Sequence, residues 1–145
     1  MKALRLALLL LAALAANAFA GNDYFTQNLQ ELPAPAQALL AEHFKGLKLT
    51  IIKVDNDFFG KAFEVKYEDG TEVEFDKKGN LTEVKVPSGE VPAALIPPEL
   101  RAMAESLYPG QKIVKFEKDD GEYELELANK AELKFDKKLR LRKAK

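Results

Sequence analysis

A seven-residue word occurs twice in this chain, and an internal copy constrains a fold more than any composition does. Residues 72–78 read Glu-Val-Glu-Phe-Asp-Lys-Lys, and residues 132–138 read Glu-Leu-Lys-Phe-Asp-Lys-Lys. The same offset sets Phe63-Glu64-Val65-Lys66-Tyr67 against Tyr123-Glu124-Leu125-Glu126-Leu127. Upstream, after a four-residue difference in length, Leu32-Pro33 matches Ile96-Pro97, and Gly46-Leu47-Lys48-Leu49 matches Gly110-Gln111-Lys112-Ile113. One short word arises by chance. Four matched segments in the same order indicate duplication, and that self-similarity organises every later assignment.

Each copy opens with a helical period. Ala36, Leu39, Leu40, Phe44 and Leu47 recur at the three- and four-residue spacing of one helix face, as do Leu100, Met103, Ala104 and Leu107. Pro33 and Pro35 suit the first turn of the first helix, and Pro97 and Pro98 that of the second, where a missing N–H costs nothing. Gly46 and the Pro109-Gly110 pair are helix stops.

The period then changes to two. A leading strand from about Leu49 to Val54 is followed by Phe63, Val65 and Tyr67, which alternate with Glu64, Lys66 and Glu68. After Asp69-Gly70, a pair suited to a tight hairpin, Thr71, Val73 and Phe75 alternate with Glu72, Glu74 and Asp76. Lys78-Gly79-Asn80 turns the chain again into a strand holding Val84 and Val86. The second copy repeats this with Ile113 to Lys118, then Tyr123, Leu125 and Leu127, then Ala131, Leu133 and Phe135. Lys130 and Leu139 stand where the first copy has Gly70 and Gly79, which predicts longer or distorted turns.

Alternation of this kind predicts antiparallel sheets with one dry face and one wet face. The expected fold is α+β: two tandem repeats, each a helix packed on an antiparallel sheet of three to four strands, with the sheets either apart or joined side by side. The repeats run over 32–86 and 96–145, after an extension at 21–31 and joined by a Pro- and Gly-containing linker at 87–95.

The first twenty residues read as a signal peptide. Lys2 and Arg5 form a basic start, Leu6 to Ala16 an apolar run, and Ala18-Phe19-Ala20 a small-residue cleavage motif before Gly21. The run is shorter than the roughly 20 apolar residues that span a bilayer. A soluble periplasmic or secreted protein without a membrane anchor is therefore expected. Removing Lys2 and Arg5 from the 22 basic residues leaves twenty against 23 acidic ones, a balance with no basic face for nucleic acid. The chain has no cysteine, so disulfides cannot hold it and its apolar core must.

Catalytic chemistry is poorly supplied. His43 is the single histidine, and it falls at the border of the first apolar helix face. Ser88 and Ser106 are the only serines and lie in no nucleophile motif. A zinc site lacks its nitrogen and sulfur ligands. Asp55, Asn56 and Asp57 lack the glycine and distal glutamate of a calcium-binding helix–loop–helix. No catalytic residue, metal site or cofactor is expected, and the chain reads as a binding protein rather than an enzyme.

Asp55-Asn56-Asp57-Phe58-Phe59-Gly60, Phe63-Glu64-Val65 and the run from Asp69 to Asn80 together resemble the PepSY-like proteins, with Asp119 to Asp136 as a weaker second match. These are small secreted or periplasmic proteins grouped with the β-lactamase-inhibitory-protein fold. The resemblance runs from about Leu32 to Leu141. It implies a helix against an antiparallel sheet, used twice, with the sheets joined side by side into a concave surface that grips an enzyme. Binding, and inhibition, of another protein such as a secreted enzyme is its functional implication. The chain departs from the classical inhibitors in carrying no cysteine.

Two surfaces are candidates. The first is the hairpin of Asp55, Asn56, Asp57, Phe58 and Phe59, where adjacent aromatics in an extended segment cannot both face the core. The second is the wet sheet face, with Glu64, Glu72, Glu74 and Asp76 from the first copy and Glu124, Glu126, Glu132 and Asp136 from the second. Its field would draw a basic protein, or alternatively a small ligand or cation. Self-association through sheet edges, giving a homo-oligomer, is a further alternative.

Overall fold

The alternating segments pair with one another in sequence order. In the computed structural model, which describes residues 22–57 and 60–145, they make one nine-stranded antiparallel sheet whose spatial order is its chain order. The strands are β1 (Tyr24–Thr26), β2 (Leu49–Asp57), β3 (Gly60–Tyr67), β4 (Glu72–Phe75), β5 (Leu81–Lys85), β6 (Ile113–Asp119), β7 (Glu122–Leu127), β8 (Glu132–Phe135) and β9 (Leu141–Ala144). Two ten-residue α-helices, α1 (Ala34–His43) and α2 (Pro98–Leu107), and two short 3-10 turns, Leu29–Glu31 and Ala93–Leu95, complete the described fold. The signal-peptide segment 1–20 and the aromatic pair Phe58 and Phe59 lie outside the described residues. Among the described residues no helix is long and apolar enough to cross a membrane.

The two sheets do join side by side, as the resemblance implies, but into one continuous sheet, which overturns the expectation of two tandem helix-on-sheet repeats. The protein is mostly β with a little helix, and no sheet edge separates an early unit from a late one. The junction is β5 against β6, through Glu83↔Glu117, Val84↔Phe116 and Lys85↔Lys115. Beyond the strand ends, the Val86 N–H donates to the Val114 carbonyl at 2.8 Å, and the Val91 N–H to that of Ile113 at 2.8 Å. Two separate sheets would each expose an unpaired edge at this point. Joined, they leave Val84 fully buried and Phe116 4% exposed. The sequence correspondence survives as register: Phe63 opposes Phe75, and Tyr123 opposes Phe135. The strand β1, inside what reads as an extension, also joins the sheet, pairing Tyr24–Thr26 with Val54–Ile52.

Inward-facing residues of the strands and helices form a single apolar cluster. It includes Ile52, Val65, Val73, Leu125 and Leu133 from the sheet with Ala36, Leu40, Leu100 and Ala104 from the helices. The helices begin after Pro33 and Pro97, as the prolines dictate. At the far end of α1 the ring of Phe44 stacks on Tyr67 of β3, with centroids 6.2 Å apart.

The expected distortion at Lys130 and Leu139 does not occur. Lys130 takes φ 73° and Leu139 φ 61°, beside 90° for Gly70 and 85° for Gly79. The closing bonds are the same: Gly70 N–H to the Tyr67 carbonyl at 3.1 Å, and Lys130 N–H to that of Leu127 at 2.9 Å. The later turns keep their length and place an ordinary residue in the left-handed region. Asp76 and Asp136 brace their turns alike, each Oδ1 accepting from the N–H two and four residues on.

Candidate functional site

Because the helices share the dry side with the apolar cluster, the opposite face is open to solvent, and the registers decide what it carries. Lys53 opposes Glu64, Glu64 opposes Glu74, Glu74 opposes Glu83, Glu83 opposes Glu117, and Glu117 opposes Glu124. The row closes with Lys134, opposite Glu124, and Lys143, opposite Lys134. Five glutamates on five neighbouring strands thus lie side by side between lysine ends, over about 19 Å at the usual strand spacing. The next row mixes its signs: Lys66, Glu72, Lys85, Lys115, Glu126 and Glu132 follow one another across β3 to β8.

Like charges directly opposite one another destabilise a sheet. Lysines of the mixed row offset part of that cost. Lys66 Nζ lies 2.9 Å from Glu64 and 3.6 Å from Glu72, and Lys115 Nζ lies 3.2 Å from Glu117 and 3.7 Å from Glu83. Lys134 Nζ reaches Glu124 at 3.6 Å. Burial works to lower the pKa of both Lys66 and Lys115, but bonds to their glutamates outweigh it and hold both above the ordinary lysine value. Glu74 has no ion pair among the described residues. Burial first, then the carboxylates of Glu83, Glu64, Glu72 and Glu117, push its pKa up to about 7. Burial also raises Glu83, partly opposed by Lys115.

The glutamates named from the sequence divide between the two rows. Glu64, Glu74 and Glu124 lie in the acidic row, and Glu72, Glu126 and Glu132 in the mixed one. Asp76 and Asp136 turn their carboxylates into turns instead; Asp136 also meets Arg140 and Arg142 at 2.9 and 3.0 Å. Sequence reading missed Glu83 and Glu117, the two that make the row continuous. The alternation of Leu81–Lys85 and Ile113–Asp119 held the signal, but only the β5–β6 pairing brings them together.

The hairpin residues lie at one end of the same sheet. Asp57 pairs with Gly60, closing β2 onto β3. Asp55 and Asp57 alternate with Lys53 onto the open face, and Lys53 Nζ meets Asp55 at 2.6 Å. Asn56 falls on the other side, and its N–H donates to Asp23 Oδ1 at 2.8 Å. The hairpin acids are therefore beside the glutamate row and not part of it. Among the described residues no group of three or more His, Cys, Asp or Glu is placed to hold a metal ion.

Residues 61–143 match the PepSY-like family, described as putative beta-lactamase-inhibitor-like. Three solved structures share the fold at substantial identity. A putative periplasmic protein from Bacteroides vulgatus is 34% identical, with a TM-score of 0.82, over 87% of this chain and 98% of its own. A putative calcium-regulated periplasmic protein from Bacteroides thetaiotaomicron is 38% identical, with a TM-score of 0.80, over 86% and 97%. A second Bacteroides vulgatus periplasmic protein, of unknown function, is 33% identical, with a TM-score of 0.80, over 86% and 99%. No curated protein matches the chain. With the family pattern covering more than half of its length and these neighbours nearly all of it, the chain belongs to the PepSY-like family.

Proposed function

We propose that this chain is a non-enzymatic periplasmic binding protein that takes a basic protein partner on the open face of its sheet. The observation that carries the proposal is the unbroken row of five glutamates. A solvated face needs charge but not charge of one sign, as the mixed row beside it demonstrates. Edge protection does not account for it either, since the row runs through β3 to β7, strands paired on both sides. A row of carboxylates held at a cost to the sheet is regained as binding energy when complementary charges cover it. The periplasmic assignment draws on the signal-peptide pattern and on the periplasmic neighbours. An inhibited enzyme is the partner class that the family description favours.

The test is an affinity pull-down from a periplasmic extract with three baits: the chain itself, Glu83→Gln with Glu117→Gln, and Asp57, Phe58 and Phe59 all changed to Ala. The expected result is a protein retained by the wild type and lost from the folded glutamate variant. Equal retention by that variant sinks the sheet-face assignment, and loss confined to the hairpin variant transfers the site to the hairpin.

A second reading is cation binding on the same face, favoured by the density of carboxylates and by a neighbour described as calcium-regulated. The described residues do not form a calcium cage, which takes six to eight converging oxygens. Calcium titration by calorimetry separates the readings, since saturable binding lost in the Glu83→Gln, Glu117→Gln variant would support the cation.

A further inference from the structure

The five carboxylates of the row are not equivalent. Glu64, Glu83, Glu117 and Glu124 each have a lysine at 3.7 Å or closer, while Glu74 has no such partner among the described residues. Carboxylates flank it directly on both sides, Glu64 on β3 and Glu83 on β5. On its own strand Glu72 shares the face, whereas Asp76 is engaged by the N–H groups of Lys78 and Asn80. Three of the four lysines nearby are committed elsewhere. Lys66 bridges Glu64 and Glu72, Lys115 on β6 bridges Glu83 and Glu117, and Lys53 on β2 pairs with Asp55. The fourth, Lys85 on β5, opposes Glu72, two residues along the strand from Glu74, and forms no ion pair with Glu74 among the described residues. Two opposed carboxylates sharing one site resist ionising together, and a proton on one of them relieves the row.

We infer that the row is proton-gated: the bare face carries a proton on Glu74, and a cationic partner laid across the row releases it. This rests on the basic-partner assignment of the face made above. The surroundings of Glu74 agree, since burial and four neighbouring carboxylates push it up to about 7. A partner that binds only the ionised row must displace that proton. Its affinity then rises by about tenfold from about pH 6 to about pH 8.

Two measurements on the purified chain decide the matter. The first is a side-chain carboxyl carbon NMR titration from about pH 4 to about pH 9. One glutamate is expected to titrate near neutrality, to vanish in Glu74→Gln and to persist in Glu126→Gln. Every glutamate titrating below about pH 5.5 overturns the inference. The second is calorimetry with octalysine at about pH 7, in two buffers of different ionisation enthalpy. Release of about half a proton per chain is expected for the wild type and none for Glu74→Gln. Binding without proton release overturns the gating. If octalysine fails to bind while one carboxyl titrates near neutrality, the basic-partner assignment and the gating fall together and the proton on Glu74 stands.

Discussion

At three turn positions a single side chain decides whether the backbone is strained. Lys130 and Leu139 both occupy the left-handed region, which costs an ordinary residue about 1–2 kcal/mol. Lys130 is exposed, so Lys130→Gly removes that strain and loses little packing. Part of the gain is returned through the freer unfolded chain. The net expectation is stabilisation of about 0.5–1 kcal/mol, read from urea denaturation. Leu139 packs against the core, so Leu139→Gly should give no such gain despite the similar φ. Gly79 is the converse. A Cβ there would stand 2.8 Å from Pro33 Cβ and 3.2 Å from the backbone nitrogen of Ala36, at φ 85°. Helix α1 cannot yield easily at its first turn, so Gly79→Ala should destabilise by about 2–3 kcal/mol. A loss below about half of the lower figure would mean that the helix start is freer than it looks.

Strand pairing governs what neighbouring side chains do to one another. Burial and the neighbouring carboxylates push the Glu74 pKa in the folded chain up to about 7 from an ordinary 4.5. A raised carboxyl pKa means that the folded state binds the proton more tightly. Its stabilising contribution is whole below about pH 4.5 and is lost as pH rises through about 7. Glu74→Gln should therefore gain on the wild type between about pH 5 and about pH 8, by about 1–2 kcal/mol after allowance for partial exposure. Urea denaturation at the two pH values measures this, and an unchanged difference rejects it. The β5–β6 junction makes a prediction of another kind. Phe116 is 4% exposed and stacks on Tyr123 at 6.1 Å, beside Val84 on β5. Phe116→Ala should cost about 3–5 kcal/mol, as for other buried aromatics, although it lies on a strand of no unusual composition.

One sheet and one apolar cluster imply one folding unit. A chain built of two independent repeats would unfold in two steps whenever their stabilities differed. Here the first and last strands are linked by uninterrupted backbone pairing, and a single transition is expected. The amide signals of Val65 on β3 and Leu125 on β7, followed by NMR through a urea series, should be lost together. Separated midpoints would show that the β5–β6 junction is weak enough to part. The nine-strand width matters for function as well. A row of five glutamates needs five adjacent strands, and no three- or four-stranded sheet could present it.

Local order was written into the chain because it depends on neighbours in sequence. The prolines before α1 and α2 bar backbone donors, the period of two selects strands, and Asp69-Gly70 closes a hairpin, so these features could be named from the residues alone. Turn distortion was misjudged at Lys130 and Leu139. The bracing Asp136 carboxylate and the closing backbone bonds hold the later turns in shape without glycine. The glutamate row was half legible: Glu64, Glu74 and Glu124 stand in plain alternation, whereas Glu83 and Glu117 lie on strands separated by a helix and two loops. Whether the two halves stand apart or merge is a matter of edge pairing, which leaves no periodic trace. Only when Val84 meets Phe116 does the open edge of each half find its partner, and the same contact sets Glu83 beside Glu117. Residue spacing chose the strands and helices because those bonds are short-range, and the tertiary pairing of distant edges made them one sheet with one acidic row.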